Sequence, residues 1–195
     1  MEEEKLPQTP ETETVEPAKE AYEWVQCVVT ALLACILVFT FLFRVIDVIG
    51  PSMEDTFYTG HKVIITRLAG DYKQGDVVVL RKTTYGKDPI IKRVIAVGGQ
   101  TVSINFMTGT VYVDGVALDE PYTKEPTWTM EDFTAPVYVP EGSIFVMGDN
   151  RNHSQDSRYG RIGTVDTRYV LGKVIFQIWP VNRIGTDFKT DAFDQ

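Results

Sequence analysis

The amino-acid sequence predicts a mostly β fold: an antiparallel, sheet- or barrel-like domain with a small β-hairpin lobe, preceded by one N-terminal transmembrane helix. Two observations predict this arrangement. An uncharged run of 20 residues near the N-terminus is long enough to cross a bilayer. The remaining sequence contains short apolar runs at regular intervals, separated by Gly- and Pro-containing turns, which is typical of antiparallel β structure.

Composition divides the 195 residues into four segments. We expect a disordered acidic tail over 1–22, an anchor helix over 23–44, a β domain over 45–185 and a polar C-terminal tail over 186–195. The net charge is −8, and seven acidic against two basic residues place −5 of it in residues 1–20. Because most of the acidity belongs to the tail and no basic face is evident, the composition argues against a nucleic-acid-binding protein.

The uncharged run extends from Trp24 to Phe43, between Glu23 and Arg44. At about 1.5 Å per residue it spans about 30 Å, the thickness of a bilayer core. A cleavable signal peptide has a shorter apolar core, roughly 7–15 residues, and a small-residue cleavage site, and neither feature is present here. We therefore expect an uncleaved membrane anchor. The basic residues on its two sides do not fix its orientation.

The two cysteines of the chain, Cys27 and Cys35, both fall inside this run. The β domain therefore has no cysteine for a disulfide framework, a catalytic thiol or a cysteine-based metal site.

The β domain is predicted from nine short apolar segments. These cover residues 63–65, 77–80, 90–97, 101–104, 110–113, 116–118, 137–139, 143–147 and 170–179. Asp114-Gly115 lies between two of them and is a signal for a type I′ hairpin turn. Residues 105–135 are polar and hairpin-like, so we expect them to form a peripheral lobe.

Ser52 and Lys92 are the candidate nucleophile and base. A serine needs a base to accept its proton, and a lysine can serve when burial lowers its pKa. In a strand, Lys92 shares its face with Ile90 and Val94, which would surround it with aliphatic groups. Spacing alone favours a simpler interpretation, in which Ser52 is a turn residue and Lys92 an edge-strand lysine. Ser52 lies nine residues beyond Phe43, at most about 30 Å of chain, so we expect it to work near the membrane surface.

A second polar cluster runs from Gly148 to Gly160 and carries eight Asp, Asn, Arg and Ser side chains. It could be a solvated turn or a buried network of Asp and Arg side chains. A calcium loop is excluded, because Arg151 and Ser154 stand where such a loop needs Asp or Asn and then Gly. A functional interpretation adds that Ser154 could hydrogen-bond a nearby lysine amine.

Together these segments resemble the bacterial type I signal peptidases, in their compact, single-span, Gram-positive-like form. Four segments match that family in its order, behind the anchor, and the resemblance covers about residues 44–179. They are Gly50-Pro51-Ser52-Met53-Glu54-Asp55-Thr56-Phe57, Gly75-Asp76-Val77-Val78, Ile91-Lys92-Arg93-Val94-Ile95 and the run from Gly148 to Gly160.

The resemblance implies a role for each matched residue. Ser52 would be the nucleophile, with its N–H in the oxyanion hole, and Lys92 the general base. The supporting residues would be Gly50, Met53, Ser154, Asp149, Arg151, Asp156 and Arg158. Among these, Ser154 would position the lysine amine, Asp156 and Arg158 would form a salt bridge that shapes the site, and Asp149 and Arg151 would support the loop.

Two positions depart from the pattern of the family. Gly50 stands where some relatives carry a hydroxyl, which leaves the second oxyanion donor open. Asp55 stands where the family usually has proline, so we expect a changed turn rather than lost chemistry. The pair Glu54-Asp55 could also alter contacts with lipid.

The resemblance implies a serine endopeptidase that removes signal peptides from exported preproteins, cutting after small residues at positions −1 and −3. It implies no metal or organic cofactor. The N-terminus would be cytoplasmic and the catalytic domain outside the plasma membrane, near the secretion translocon and the lipid bilayer. Three other hypotheses stay open: a hydrolase with His153 or His61 as base, a β domain that binds extended peptides without turnover, and a self-cleaving repressor-type serine/lysine protease.

Overall fold

The structure is a computed structural model of the chain, and it describes residues 17–68, 70–82, 86, 88–186 and 188. It divides into two compact units at Thr40 and Phe41. Most of the acidic tail predicted over 1–22, and all but two residues of the polar tail predicted over 186–195, lie outside the described residues.

The described residues of the N-terminal unit belong to the helix α1, Pro17–Leu42, whose last two residues fall in the second unit. Its segment Lys19–Leu42 is long and apolar enough to cross a membrane. The side chains from Lys19 to Thr40 are exposed in the structure, so packing against protein does not explain their apolar character. The helix begins at Pro17, six residues before the predicted start of the anchor at residue 23, and it ends at Leu42 rather than at residue 44.

The second unit contains eleven strands among its described residues, all paired antiparallel. They are β1 (Phe43–Asp47), β2 (Lys62–Thr66), β3 (Val77–Leu80), β4 (Ile90–Val97), β5 (Thr101–Asn105), β6 (Thr110–Val113), β7 (Val116–Ala117), β8 (Val137–Tyr138), β9 (Ser143–Met147), β10 (Val165–Asp166) and β11 (Val170–Trp179). The predicted mostly β, antiparallel fold with an N-terminal apolar helix is confirmed. Each of the nine predicted segments became a strand.

The strands form two sheets. The larger has the order β1-β2-β11-β3-β4-β9-β10, and the smaller has the order β7-β6-β5-β8. The predicted turn at Asp114-Gly115 connects β6 to β7, and both residues have positive φ, 52° and 82°, as a type I′ turn requires.

Two strands were missed in the sequence. β1 begins immediately after the helix, because Phe43–Asp47 pairs residue by residue with β2 and so satisfies its backbone groups in the sheet. This pairing is why the helix does not extend to Arg44. β10, Val165–Asp166, is only two residues long and carries no periodic signal.

The smaller sheet contains strands from residues 105–135, the region predicted as a peripheral lobe, and it packs against the larger sheet. Its buried Val102, Val111 and Val113 share one apolar cluster with Ile95 and Phe145 of the larger sheet. Phe145 is 0% exposed, and its ring meets that of Phe133 edge-on, with centroids 6.0 Å apart. The two sheets are thus joined by a common core.

Phe188 lies within the segment predicted as a polar C-terminal tail, and its side chain is buried. Its side chain is 7% exposed and packs with Phe57, at a ring-centroid distance of 5.3 Å. The cluster around it contains Val48, Met53 and Val63, and it lies beneath the turn that carries Ser52.

Replacing Phe145 by alanine should lower the free energy of unfolding by about 3–5 kcal/mol, because it removes a fully buried ring from the shared core. Urea denaturation of the detergent-solubilised protein measures this change. The matched control is Met107→Ala on the smaller sheet's hairpin, where the side chain is 90% exposed and the change should stay within about 0.5 kcal/mol. Equal losses for the two variants would contradict a core shared by the sheets.

Candidate active site

Ser52 and Lys92, 40 positions apart in the sequence, come together in the structure. The Lys92 Nζ lies 2.7 Å from the Ser52 Oγ and also donates to the Ile91 carbonyl at 2.9 Å. Lys92 is 3% exposed, on a central strand that is buried along most of its length. Burial lowers the pKa of the Lys92 ammonium from 10.5 to about 8, although Asp156 and Asp149 act in the opposite direction. A fraction of this amine is therefore neutral near physiological pH.

Apolar side chains buried in the core hold the turn that carries Ser52. Met53 and Phe57 are both 0% exposed in the core under the turn. The turn is closed by the Glu54 N–H donating to the Pro51 carbonyl at 3.2 Å and by the Phe57 N–H donating to Met53 at 2.7 Å. The chain therefore enters a tight turn directly at the nucleophile candidate.

Gly50 and Asp55 flank this turn. Gly50 has a φ of +92°, a conformation that favours glycine, and its N–H donates to the Thr59 Oγ1 at 3.1 Å. The Asp55 side chain accepts a hydrogen bond from the Tyr58 hydroxyl at 3.0 Å. The residue that replaces the family's usual proline is thus accommodated by a local hydrogen bond at the surface.

The polar loop after β9 holds the backbone of the Ser52 turn. The Asn150 N–H donates to the Ser52 carbonyl at 3.1 Å, and the Asn150 Nδ2 donates to the Pro51 carbonyl at 3.0 Å. A Cβ atom on Gly148 would lie 2.2 Å from the Ser154 Oγ and 2.4 Å from the Ser52 carbonyl oxygen. Only glycine allows this approach, so Gly148 is required for the loop to reach the turn.

Asp156 and Arg158 form the predicted buried ion pair, with both side chains 0% exposed. Arg158 donates through Nε and Nη2 to the two Asp156 oxygens, each at 2.9 Å. Ser154 donates its hydroxyl to the same carboxylate at 2.8 Å, as does the Gly148 N–H at 3.0 Å. Burial opposes ionisation of Asp156, but Arg158 and these hydrogen bonds outweigh it and hold the pKa of the carboxyl below its usual value.

Ser154 is therefore directed at Asp156 in this structure. Among the described residues, the Lys92 amine is hydrogen-bonded to Ser52 and Ile91. That Ser154 positions the amine stays a prediction, although Ser154 does line the cleft beside it.

Asp149 and Arg151, predicted to support the loop, each reach beyond it. Asp149 accepts from the Arg93 Nε at 2.9 Å and from Nη2 at 2.7 Å, in a pair that is 0% exposed on both sides. Arg151 makes a two-pronged ion pair with Glu120, at 2.8 and 2.5 Å. The Tyr122 ring lies beneath Arg93, 4.2 Å from its guanidinium carbon, and completes the network.

Sequence reasoning missed Arg93, Glu120, Tyr122 and Asn150. A signal for Arg93 was present, since a second buried cation next to Lys92 in an apolar strand must have an acidic partner. Glu120 and Tyr122 carried no such signal, because they come from a polar loop of the smaller sheet. Their place at the site became visible only with the tertiary structure.

Neither histidine contacts the Ser52 hydroxyl in the described hydrogen bonds. His61 is buried beside Gln177, with its Nδ1 3.0 Å from the Gln177 Nε2, and burial lowers its pKa. His153 lines the cleft that contains Ser52. Within the described residues no group of three His, Cys, Asp or Glu side chains is arranged to hold a metal ion.

Comparison with known proteins gives consistent results. Residues 21–179 match the model of a family described as signal peptidase, peptidase S26. The chain is 36% identical to signal peptidase I of Bacillus licheniformis, covering 84% of this chain and 91% of that protein. It is 32% identical to signal peptidase I S of Bacillus subtilis strain 168, covering 89% and 97%. The crystal structure of a signal peptidase I from Enterococcus faecalis V583 aligns at 32% identity and a TM-score of 0.43, over 54% of this chain and 97% of that one.

Replacing Lys92 by methionine should stabilise the protein at pH 7, by on the order of 1–3 kcal/mol, because it removes a cation from a buried position. The sign follows from the lowered pKa. The cost of the charged amine is fully present below about pH 8 and disappears as the pH rises to 10.5, where the unfolded chain also loses the proton.

The measurement is the free energy of unfolding at pH 7, 8, 9 and 10 for both proteins. The advantage of Lys92→Met should shrink steadily between pH 8 and 10. Lys73→Met, at an exposed lysine, is the matched control and should show no such trend. An advantage that is absent or independent of pH would show that the amine is not desolvated.

Proposed function

The chain belongs to the signal peptidase family, peptidase S26, and we propose that it removes signal peptides from exported preproteins with Ser52 as nucleophile and Lys92 as general base. Its relatives support a peptidase that processes signal peptides. The assignment of the nucleophile and the base rests on the buried Lys92 amine, which lies 2.7 Å from the Ser52 hydroxyl and has a pKa of about 8.

The first chemical step needs Lys92 in its neutral form. The lone pair of Nζ accepts the Ser52 hydroxyl proton as Oγ attacks the carbonyl carbon of the scissile bond. The negative charge moves to the carbonyl oxygen, and the Ser52 N–H can stabilise it. That N–H donates no hydrogen bond to any described residue, which leaves it available for this purpose.

The remaining steps return the proton and the enzyme to their starting states. The Lys92 ammonium gives its proton to the leaving amine as the peptide bond breaks, which leaves an ester on Ser52. Lys92, neutral again, then takes a proton from water as the water attacks the ester. The Lys92 ammonium then returns this proton to the Ser52 Oγ as the acyl–oxygen bond breaks, which releases the signal peptide and regenerates the serine hydroxyl.

Substrate residues before the cut would occupy an apolar cavity of about 500 Å³ beside the site. It is lined by the segments that precede Ser52 and Lys92, with Ile46, Val79 and Ile91 among its walls. An extended peptide added beside these segments would place alternate side chains toward them. Positions −1 and −3 would then face the same wall, and we propose that small side chains are selected there.

We also propose the arrangement of the chain in the membrane. The apolar part of α1 would contain the span, the N-terminal tail would lie in the cytoplasm, and the catalytic β domain that follows the helix would lie outside. The exposed apolar helix Lys19–Leu42 supports a span. Such a single-pass enzyme would meet its substrates at the bilayer, near the secretion translocon.

The competing function is a β domain that binds extended peptides without cleaving them. The two are separated by incubating the detergent-solubilised protein with a preprotein that carries alanine at −1 and −3, and by identifying products by mass. We expect the wild type to cut after the small residue. Ser52→Ala should be inactive, and Lys92→Ala should be slower by about 10²–10⁴-fold.

Matched controls are Ser103→Ala and Lys73→Ala, which change the same residue types away from the cleft and should keep full activity. Binding of the preprotein by the wild type without any product would support the peptide-binding alternative instead.

The pH dependence of kcat/KM tests the identity of the base. Since only neutral Lys92 can accept the proton, kcat/KM should rise about 50-fold from pH 6 to pH 8 and level off above about pH 9. A profile that is flat down to pH 5, or one that levels off near pH 6.5, would contradict a lysine base, and the latter would indicate a histidine.

A further inference from the structure

A second cavity, of about 480 Å³, has Ser52 and Lys92 themselves in its lining. It shares Ile49 and Ile90 with the apolar cavity, but apart from these two residues and Pro51 its lining is polar. The polar side chains besides Ser52 and Lys92 are Glu131, Asn152, His153, Ser154 and Gln155. If the proposed function holds and the apolar cavity takes the residues before the cut, this cleft must take the residues that follow it.

One wall of the cleft is formed by residues 126–132, a segment of the loop between β7 and β8. This segment is hydrogen-bonded to the polar loop that follows β9. The Asn152 Oδ1 accepts from the N–H groups of Trp128 at 2.9 Å and Thr129 at 3.0 Å. The Thr129 carbonyl accepts from the Arg158 Nη1 at 2.8 Å. At the far end, the Asp132 Oδ2 accepts from the Gly160 N–H at 2.8 Å.

Glu131 lies between the hydrogen bonds at Thr129 and at Asp132. Its position relative to Ser52 is therefore set by the polar loop after β9, which also holds the Ser52 turn. Its backbone has a φ of +53°, unusual for a residue other than glycine. Its side chain is exposed, and no cation among the described residues forms an ion pair with its carboxylate. The cleft lined by Ser52 and Lys92 therefore also carries a carboxylate that has no ion-pair partner among the described residues.

We propose that Glu131 determines specificity for the residues immediately after the cut, favouring a basic side chain and disfavouring an acidic one. Lys92 must be neutral for the reaction, so it does not offset the carboxylate. The preference is electrostatic and should weaken at high ionic strength.

The test uses a preprotein with alanine at −1 and −3 and with Lys, Gln or Glu at the first or the second residue after the cut. In an extended chain alternate side chains face opposite walls, so one of these two positions should carry the effect. At pH 9 and 50 mM salt, we expect wild-type kcat/KM to be roughly tenfold higher for Lys than for Glu at that position, with Gln between them.

Glu131→Gln should bring this ratio to within about twofold of unity, and Glu131→Lys should invert it, with the Gln substrate cleaved at the wild-type rate in both cases. Glu125→Gln is the matched control: it removes the same charge from the same loop at a residue outside the cleft lining, and it should leave the tenfold ratio intact.

Two results overturn the inference in different ways. Equal Lys-to-Glu ratios in the wild type and Glu131→Gln, at both positions, would show that Glu131 has no part in specificity while leaving the proposed function in place. Failure of the wild type to cleave any member of the series, including Gln, would overturn the proposed function and this inference with it.

Discussion

Everything in this site depends on keeping the Lys92 amine out of water while holding it within hydrogen-bond distance of Ser52. An ammonium group in a buried position is costly, and the cost appears as the lowered pKa of the amine. The protein pairs its other buried charges almost completely, as Arg93 with Asp149 and Arg158 with Asp156. Lys92 is the buried cation whose carboxylate neighbours are already engaged by arginines, and it can therefore lose its proton.

The geometry around this amine comes from three separate parts of the chain. Strand β4 supplies Lys92 and Arg93, and the turn above the apolar core supplies Ser52. The loop after β9 forms hydrogen bonds with both of these parts. The missing side chain of Gly148 lets that loop contact the Ser52 carbonyl, while Asn150 hydrogen-bonds to the turn. The smaller sheet participates as well, because Glu120 holds Arg151 and the 126–132 segment forms one wall of the cleft.

Much of the fold was predictable because the strands are short, apolar and bounded by turn residues. The extents of β4, β9 and β11 agree with their apolar runs, and both residues of the Asp114-Gly115 turn have the positive φ that their type suggests. β1 was hidden by its continuity with the apolar helix, and it became a strand only through pairing with β2. The burial of Phe188 likewise depends on long-range packing that composition does not encode.

The candidate site likewise has a part that the sequence predicts and a part that only the tertiary structure reveals. Ser52 and Lys92 could be singled out from residue chemistry, and the structure places them together. The partners of the charged residues could not be, since a sequence does not specify which acid meets which arginine. Asp149 and Arg151 occur in one loop but pair with Arg93 and Glu120, at distances of 56 and 31 positions along the chain.

The most direct test of this account is the titration of Lys92 itself. Protein labelled with ¹³C at the lysine ε carbons would be titrated by NMR from pH 6 to pH 11, with the Lys92 signal assigned by its loss in Lys92→Met. An inflection near pH 8, separate from the signals of the exposed lysines, is the predicted result. An inflection above pH 10, together with those of the exposed lysines, would show that Lys92 is charged at working pH and would contradict its role as the base.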